Sequence, residues 1–385
     1  MEKNITLIIM SAGESSRFQT KTKIKKQWLK IDEKPIWLFN ALTLQNRFKF
    51  KKVIITASKR EMDYMRRFCD YEIVEGGDSR AQSLRNALSL VNTEFVMVND
   101  ATRINFDFNV LENMLSIAEN EDFDCIIPVI NPVDTAFYEE NGERKYLQKE
   151  NAFLVQTPQI SKVNALKKAL QKNDFSDESS ALDSIGGKII KVRGTNRLDK
   201  ITYFEDVKRF NLDTKEDLRV GFGFDTHSIQ NGDGLNLGGI RIECHKSIIA
   251  HSDGDVIIHA LCDAILGAIG GGDIGEWFSD KDEKYKNIDS KLLLEEIMDF
   301  TQKVGYRIIN VDIMLLAEVP KISPYKNAMI DVLSPILKIE KKDINIKATT
   351  MEKMGFIGRG EGISSMCNAT LKYSIDEWSG DTSLR

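Results

Sequence analysis

Histidine is scarce in this 385-residue chain. There are four, His227, His245, His251 and His259, and all fall within one short window. Chemistry in the first 226 residues therefore has to proceed without an imidazole. Cysteine is nearly as sparse. Cys69, Cys125, Cys244, Cys262 and Cys367 are odd in number, scattered, and form no C-x-x-C pair. That pattern excludes a disulfide framework and a thiolate zinc site, and suits reduced thiols. Seven prolines and no low-complexity tract exclude collagen-like segments and long disordered linkers. No apolar run approaches the ~18 residues of a membrane span. The opening run, Ile5 to Met10, is too short for a signal-peptide core. A cytoplasmic protein without a membrane partner is expected. Neither sign of charge dominates: residues 1–217 carry +1 and residues 218–385 carry −6. Neither half is basic enough for nucleic-acid binding as its main business.

What remains is ordinary globular material, 42% hydrophobic and 29% charged. The length exceeds the ~250–300 residues at which single cores stop growing, so two domains are the default. In the first half, apolar runs at Ile5–Met10, Val53–Ser58, Phe95–Asn99, Cys125–Ile130 and Lys188–Val192 read as buried strands. Between them Pro35–Asn46, Ser79–Val91, Phe108–Glu119 and Ser161–Gln171 carry apolar residues at helical spacing. The alternation predicts an α/β domain, Rossmann-like, with a mainly parallel sheet. Thr202–Leu212 reads as a closing helix. A polar stretch, Asp213 to Asp217, separates it from a strand at Arg219–Asp225. The boundary is placed at 214/215, giving domains 1–214 and 215–385. The second, smaller domain again reads α/β. Helices are expected at Val256–Ile269, Lys291–Val304 and Tyr325–Leu337, and strands at Val311–Leu316, Ile344–Thr350 and Met366–Tyr373.

Ligands in doubly wound sheets bind at the carboxyl ends of strands. After the first strand comes Ser11-Ala12-Gly13-Glu14-Ser15-Ser16-Arg17-Phe18, a small-residue loop whose backbone N–H groups suit a phosphate. With one glycine it reads equally as a simple β-to-α turn. Arg17, Lys21, Lys23, Lys25, Lys26 and Lys30 follow with no acid between them, a solvated loop or a polyanion site. Gly76-Gly77-Asp78-Ser79-Arg80-Ala81-Gln82-Ser83 joins a turn to a helix start, where Ser79 also fits a plain N-cap. Asp100 ends a strand, the place for a Mg²⁺ or ribose ligand.

These segments resemble the cytidylyltransferase of non-mevalonate isoprenoid synthesis. The likeness also includes Asp134-Thr135, Gln156-Thr157-Pro158-Gln159, Asp177-Glu178-Ser179-Ser180-Ala181 and Lys200-Ile201-Thr202. It implies CTP, methylerythritol phosphate and Mg²⁺ as partners. It puts Arg17 and Lys26 at the transition-state charge, and Gly13, Ser83, Asp100 and Arg103 at the substrate, Ser83 by the cytidine and Asp100 near the ribose and Mg²⁺. Thr135, Lys149 and Lys200 fall on residues that hold methylerythritol phosphate or its transition state. Such in-line transfer needs positioning and electrostatics rather than a protein nucleophile. The sequence departs from the family at Glu14, Ser15 and Ser16, where glycine is usual. It departs again at Lys25, where the family has Pro, and at Lys149, where it has Arg.

In the second half, Gly223-Phe224-Asp225-Thr226-His227 sets Asp225 and His227 on one face of a strand. His259 sits early in a helix and alone would read as a core histidine. Together the three offer a carboxylate and two imidazoles, leaving tetrahedral zinc an open position. Asp263, four residues on, is placed to orient the site. Lys347 to Phe356 and Gly358-Arg359-Gly360-Glu361-Gly362 supply Glu352, a hard oxygen ligand, and a close-approach turn that also fits a solvated loop.

Residues 219–375 resemble 2-C-methylerythritol 2,4-cyclodiphosphate synthase. The resemblance implies Zn²⁺ at Asp225, His227 and His259, and a Mg²⁺ held partly by Glu352. It sets His251 and Thr350 at the transition state. It sets Ser252, Asp273, Ile274, Gly275, Phe278, Asp280, Asp282, Ala317, Pro320, Thr349, Phe356 and Arg359 at the substrate. Ser279-Asp280-Lys281-Asp282 replaces the family's Pro-Asp-Thr-Asp, and His245 matches no role. By analogy the first domain dimerises and the second trimerises, a homo-oligomer overall, and a separate kinase supplies the intervening phosphorylation. Two other readings remain: a generic sugar-1-phosphate nucleotidyltransferase, and a zinc-binding assembly module without turnover.

Overall fold

The computed structural model describes residues 3–171, 174–210, 212, 217–250, 252–279 and 281–375. The chain divides into two compact units, Met1–Lys21 with Lys25–Asp213, and Thr22–Ile24 with Thr214–Arg385. The expected junction at 214/215 lies outside the described residues. So do His251 and Asp280. Among the described residues no helix is long and apolar enough to cross a membrane.

The first unit is built on an eight-stranded sheet. Its strands are β1 (Lys3–Met10), β2 (Phe50–Ala57), β3 (Glu72–Glu75), β4 (Phe95–Asp100), β5 (Cys125–Ile130), β6 (Leu154–Val155), β7 (Gln159–Lys162) and β8 (Ile189–Arg193). The order is β6-β5-β7-β4-β1-β2-β3, with β8 also paired to β5. Strands β3, β2, β1 and β4 run parallel, and β8 is parallel to β5. Leu7, Ile8 and Ile9 are all fully buried, the continuous apolar signature of a strand covered on both faces. Helix Ile36–Phe48 buries Ile36, Trp37, Ala41 and Leu44 at helical spacing.

Two expectations need correction, and one element is new. The span Ser161–Gln171 is not one helix. Strand β7 runs antiparallel between β4 and β5, and the helix is only Val163–Ala169. Gln-Ile-Ser-Lys alternates too briefly to announce a strand, and the sheet claims it because β4 and β5 need a partner. The expected closing helix shrinks to Asp206–Arg209. A two-stranded arm, Phe137–Glu140 with Glu143–Tyr146, was missed. Its signal was present in Asn141-Gly142, both with positive φ.

The second unit carries a five-stranded sheet of β9 (Leu218–Asn231), β10 (Lys246–Ile249), β11 (Tyr306–Leu316), β12 (Ile344–Thr349) and β13 (Gly362–Tyr373), in the order β10-β9-β13-β11-β12. All pairs are antiparallel except β11 with β12. Helix Val256–Ile269 lies on β9 and β13 and is backed by helix Ser290–Lys303. Burial along β9 alternates. Gly221 and Gly223 are buried beneath the helix, while Val220, Phe222 and Phe224 face outward at 69%, 58% and 48% exposure. A Cβ on Gly221 would stand 1.8 Å from the Ala264 carbonyl oxygen, and one on Gly223 1.9 Å from that of Ala260. Only glycine lets strand and helix backbones approach this closely.

Candidate active sites

Met10 and Asp100 are neighbours in register, so the loops after β1 and β4 leave the sheet side by side. Asn40, fully buried, fixes the second loop by donating to the Ala101 and Arg103 carbonyls at 3.3 and 2.8 Å. The Gly76-Gly77 turn closes the third side. A Cβ on Gly76 would lie 2.3 Å from that of Ala12. The result is a cavity of ≈ 730 Å³ at the carboxyl ends of the central strands.

Gly13, Arg17, Lys26, Ser83, Asp100 and Lys200 all line it. Burial pushes the Lys26 ammonium down, and Arg17 and Lys200 add to the shift. Asp100 and Asp206 oppose it, leaving a pKa of about 8. Burial raises the Asp100 carboxyl, but Arg80, Lys200 and Arg103 outweigh it and hold the group below its ordinary value. Arg80 was not foreseen as a site residue. Its guanidinium bridges Asp100 Oδ1 at 3.2 Å and Glu178 Oε1 at 2.8 Å. The available signal was an arginine at the first position of a helix, capped by Ser79 and opening onto a strand-end acid. Ser79 is the N-cap, accepting from Gln82 N–H. Ser83 Oγ accepts from Gly77 N–H and donates to the Ser79 carbonyl.

Three expected residues do not line this cavity. Arg103 is 6% exposed and donates to the Leu198 carbonyl, two residues before Lys200. Thr135 and Lys149 sit at the base of the exposed arm, where Lys149 Nζ donates to the Val133 carbonyl at 2.6 Å. That arm exposes Val133, Phe137, Tyr138, Tyr146 and Leu147.

In the second unit, β9 delivers Asp225 and His227 from its helix-facing side. Asp225 Oδ2 lies 3.0 Å from His227 Nε2 and 3.1 Å from His259 Nδ1, and the two ring nitrogens are 3.2 Å apart. Four ligands about 2.0–2.1 Å from a tetrahedral zinc stand about 3.3 Å from one another, so the three atoms fit such an ion. Among the described residues this is the one cluster of the kind. Burial raises the Asp225 carboxyl, but the hydrogen bonds from both imidazoles overturn that and hold it well below the carboxylate range.

His259 Nε2 faces Ser290 Oγ at 2.9 Å and Ser252 Oγ at 3.3 Å. Ser290 is fully buried, and both its N–H and its hydroxyl bond to Asp253. With Nε2–H donated to Ser290, a metal would take the Nδ1 lone pair once Nδ1 gives up the proton it shares with Asp225. Asp263 was expected to orient this ring and does other work. Its Oδ1 accepts from Ile274 N–H at 2.8 Å.

Asp225 and Leu315 both pair with Ser365, so β9 and β11 bring the Asp225 cluster and the loop after Leu316 to one end of the sheet. There Ala317 N–H bonds the Thr349 carbonyl, and Glu318 Oε1 accepts from Met351 N–H at 3.0 Å and, more weakly, Lys353 N–H. Glu318 thus pins a turn in which Glu352 and Lys353 both take positive φ, +49° and +62°. Thr350 Oγ1 donates to Glu352 at 3.0 Å. Pro320 follows a cis peptide bond. Phe356 is 41% exposed, and Arg359 forks onto Glu361 at 2.9 Å. Asp273 caps the short helix that begins at Ile274 and Gly275. Phe278 is buried against Tyr285, and Asp282 caps a single turn. Glu352 is not part of the Asp225 cluster.

A cavity at the carboxyl ends of a mainly parallel sheet, in one chain with an α/β unit bearing an Asp-His-His cluster, is the arrangement of a two-domain nucleotide-processing enzyme. Residues 5–212 match the family model of 2-C-methyl-D-erythritol 4-phosphate cytidylyltransferase, and residues 218–372 match that of the YgbB family. The bifunctional enzyme IspD/IspF of Campylobacter fetus is 43% identical over 96% of this chain and 98% of its own length. That of Aliarcobacter butzleri is 42% identical over 96% and 98%. The solved structure of the bifunctional IspDF from Campylobacter jejuni superimposes with a TM-score of 0.82, at 42% identity over 97% of this chain and 99% of that one. The chain belongs to the bifunctional IspD/IspF enzymes of the methylerythritol phosphate route to isoprenoids. It makes 4-diphosphocytidyl-2-C-methylerythritol from CTP and methylerythritol phosphate, releasing diphosphate. It also closes the phosphorylated CDP derivative to 2,4-cyclodiphosphate, releasing CMP. A second unit that merely holds metal is not favoured.

Proposed function

We propose that each activity is carried by the residues of its own unit, 1–214 for cytidylyl transfer and 215–385 for cyclisation. The observation that carries the first assignment is the convergence of Arg17, Lys26, Lys200 and Asp100 on one cavity. Arg17 and Lys26 stabilise charge at the α-phosphate. Gly13 and its neighbours offer backbone N–H groups to the triphosphate, and Ser83 faces the cytidine. Asp100, held ionised by its cations, orients ribose. Lys200 grips methylerythritol phosphate, and Arg103 acts on that contact through the Leu198 carbonyl. Asp100 is already paired, so Mg²⁺ here travels with the nucleotide and supplies charge neutralisation. Thr135 and Lys149 complete the methylerythritol site from the arm of a second copy. Their distance from the cavity lining and the arm's exposed apolar residues support a dimer.

For cyclisation, Asp225, His227 and His259 would hold Zn²⁺, and Glu352 would share in holding Mg²⁺. Such ions, when bound, neutralise crowded phosphate oxygens and template the attack of the 2-phosphate on the β-phosphorus. The chain's own contribution is to fix the ligands and cradle the leaving group. His251 and Thr350 serve the transition state. Ser252, Asp273, Ile274, Gly275, Phe278, Asp280 and Asp282 bind substrate from one segment. Ala317, Pro320, Thr349, Phe356 and Arg359 bind it from the opposite loops. The outward apolar face of β9 supports a trimer, and the protein works in the cytoplasm beside a separate kinase.

Two assays on the whole chain test this. Diphosphate release is measured with CTP, methylerythritol phosphate and Mg²⁺, and CMP release with the phosphorylated CDP intermediate. His259→Ala abolishes CMP release and zinc retention and leaves diphosphate release intact. Full cyclase activity with bound zinc in that variant refutes the metal assignment.

A further inference from the structure

Two side chains beside the first cavity, Glu14 and Lys25, touch each other. Glu14 and Ser15 belong to the loop after β1, and Lys25 opens the segment that carries Lys26. Lys25 Nζ lies 2.9 Å from Glu14 Oε1 and 3.3 Å from Glu61 Oε2. The Lys25 and Glu61 side chains are each only 4% exposed, whereas Glu14 is 68% exposed and lines the cavity. Glu61 also accepts from Gln27 Nε2 at 3.3 Å, from Trp28 Nε1 at 2.5 Å and from Ser58 Oγ. A buried carboxylate with four donors is a fixed anchor, and Lys25 extends it to the loop.

Ser15 makes the second fastening. Its φ of +58° is a conformation glycine adopts freely and serine does not. Ser15 Oγ accepts from Lys26 N–H and donates to Gln27 Oε1, both at 3.1 Å. Gln27 Nε2 in turn donates to the Gly13 carbonyl at 3.2 Å. The loop and the segment that bears Lys26 are thus bonded at Gly13, Glu14 and Ser15. Lys25 has φ −77°, within reach of proline, so the backbone here does not require lysine. What lysine brings is its side chain, which reaches Glu14 and Glu61.

We propose that Glu14 and Lys25 form a staple that holds the phosphate loop in its nucleotide-ready shape, making Lys25 a positioning residue for CTP. A glycine-rich loop has to be ordered when the nucleotide arrives, and that entropy is subtracted from binding. Here the ordering is done beforehand by side chains anchored to Glu61. The pairing also neutralises a carboxylate that would otherwise face a triphosphate.

This rests on the cavity being the CTP site, and the test separates the two. Wild type, Glu14→Gln, Lys25→Met, Lys25→Arg and the double variant E14Q/K25M are assayed for diphosphate release against CTP, with melting curves alongside. Glu14→Gln leaves the buried anchor intact. It raises KM for CTP about 3- to 10-fold, with kcat within about twofold and an unchanged melting temperature. Lys25→Met gives at least that KM and also melts earlier, while Lys25→Arg recovers most of the affinity. The double variant is no worse in KM than Lys25→Met alone, as coupled residues require. An unchanged or lower KM in Glu14→Gln, or additive effects in the double variant, overturns the staple. Absence of CTP-dependent diphosphate release in the wild type overturns the site reading instead.

Discussion

Replacing Lys26 with methionine should stabilise the first unit while abolishing its activity. Burial beside Arg17 and Lys200 depresses the ammonium from 10.5 to about 8. At 1.36 kcal/mol per unit, the protonated form costs the fold up to ~3 kcal/mol. The group is partly solvated, so screening reduces this to about 1–2 kcal/mol. The sign follows from linkage. The unfolded chain binds the proton more tightly, so the cost is fully present below pH 8. It is relieved as pH rises from about 8 towards 10.5. Lys26→Met removes it, because the stem packs as before and no charge is buried. Urea unfolding of the first unit at pH 7 should therefore show a gain of about 1–2 kcal/mol, vanishing above pH 10. Turnover should fall about 10²–10³-fold, the usual loss for a preorganised charge aimed at a transition state. In the wild type, kcat/KM for CTP should decline above pH 8 as Lys26 loses its proton, and Lys26→Arg should remove that inflection. A variant that is less stable at pH 7, or equally stabilised at both pH values, refutes the electrostatic reading.

Other outcomes follow from the second unit. Ser290→Ala removes the nearer of two hydroxyl partners of His259 Nε2, leaving Ser252 at 3.3 Å, and should weaken zinc binding about 10–100-fold in chelator competition. Unchanged affinity would remove Ser290 from any orienting role. Gly223→Ala would set a Cβ 1.9 Å from the Ala260 carbonyl oxygen. It should cost about 3 kcal/mol or more of C-terminal stability and abolish CMP release, with diphosphate release retained. Wild-type melting would show that strand and helix can part freely.

The central strands of the first sheet were legible because runs such as Ile5–Met10 are buried on both faces, and burial leaves a compositional trace. Strand β7 left none. Four residues with one isoleucine mean something only beside β4 and β5. The arm was legible in Asn141-Gly142, yet its apolar residues point outward and mimic no core. At the sites, strand periodicity sufficed for Asp225 and His227, and the strand-end rule for Asp100. Arg80 left only its place at a helix start after Ser79, and Ser290 and Glu318 left no trace of that kind. Each acts by filling a hydrogen-bonding need created by a residue 20–98 positions away: Asp100 and Glu178 for Arg80, His259 for Ser290, and Met351 for Glu318. Asp263 was misassigned because helical spacing places it near His259, and spacing does not reveal that the Ile274 N–H reaches it first.

Strand β9 has one further consequence. Its odd positions from Gly221 to His227 look inward to the helix, Asp225 and His227 among them, and its even positions from Val220 to Phe224 look outward as an apolar surface. A single insertion or deletion within this stretch would exchange the two faces. Asp225 would turn to solvent, and a phenylalanine would be driven against a helix that tolerates only glycine. The Asp225–His227 pair and the apolar outer face are therefore written in one frame, and a frame error in that strand forfeits both at once.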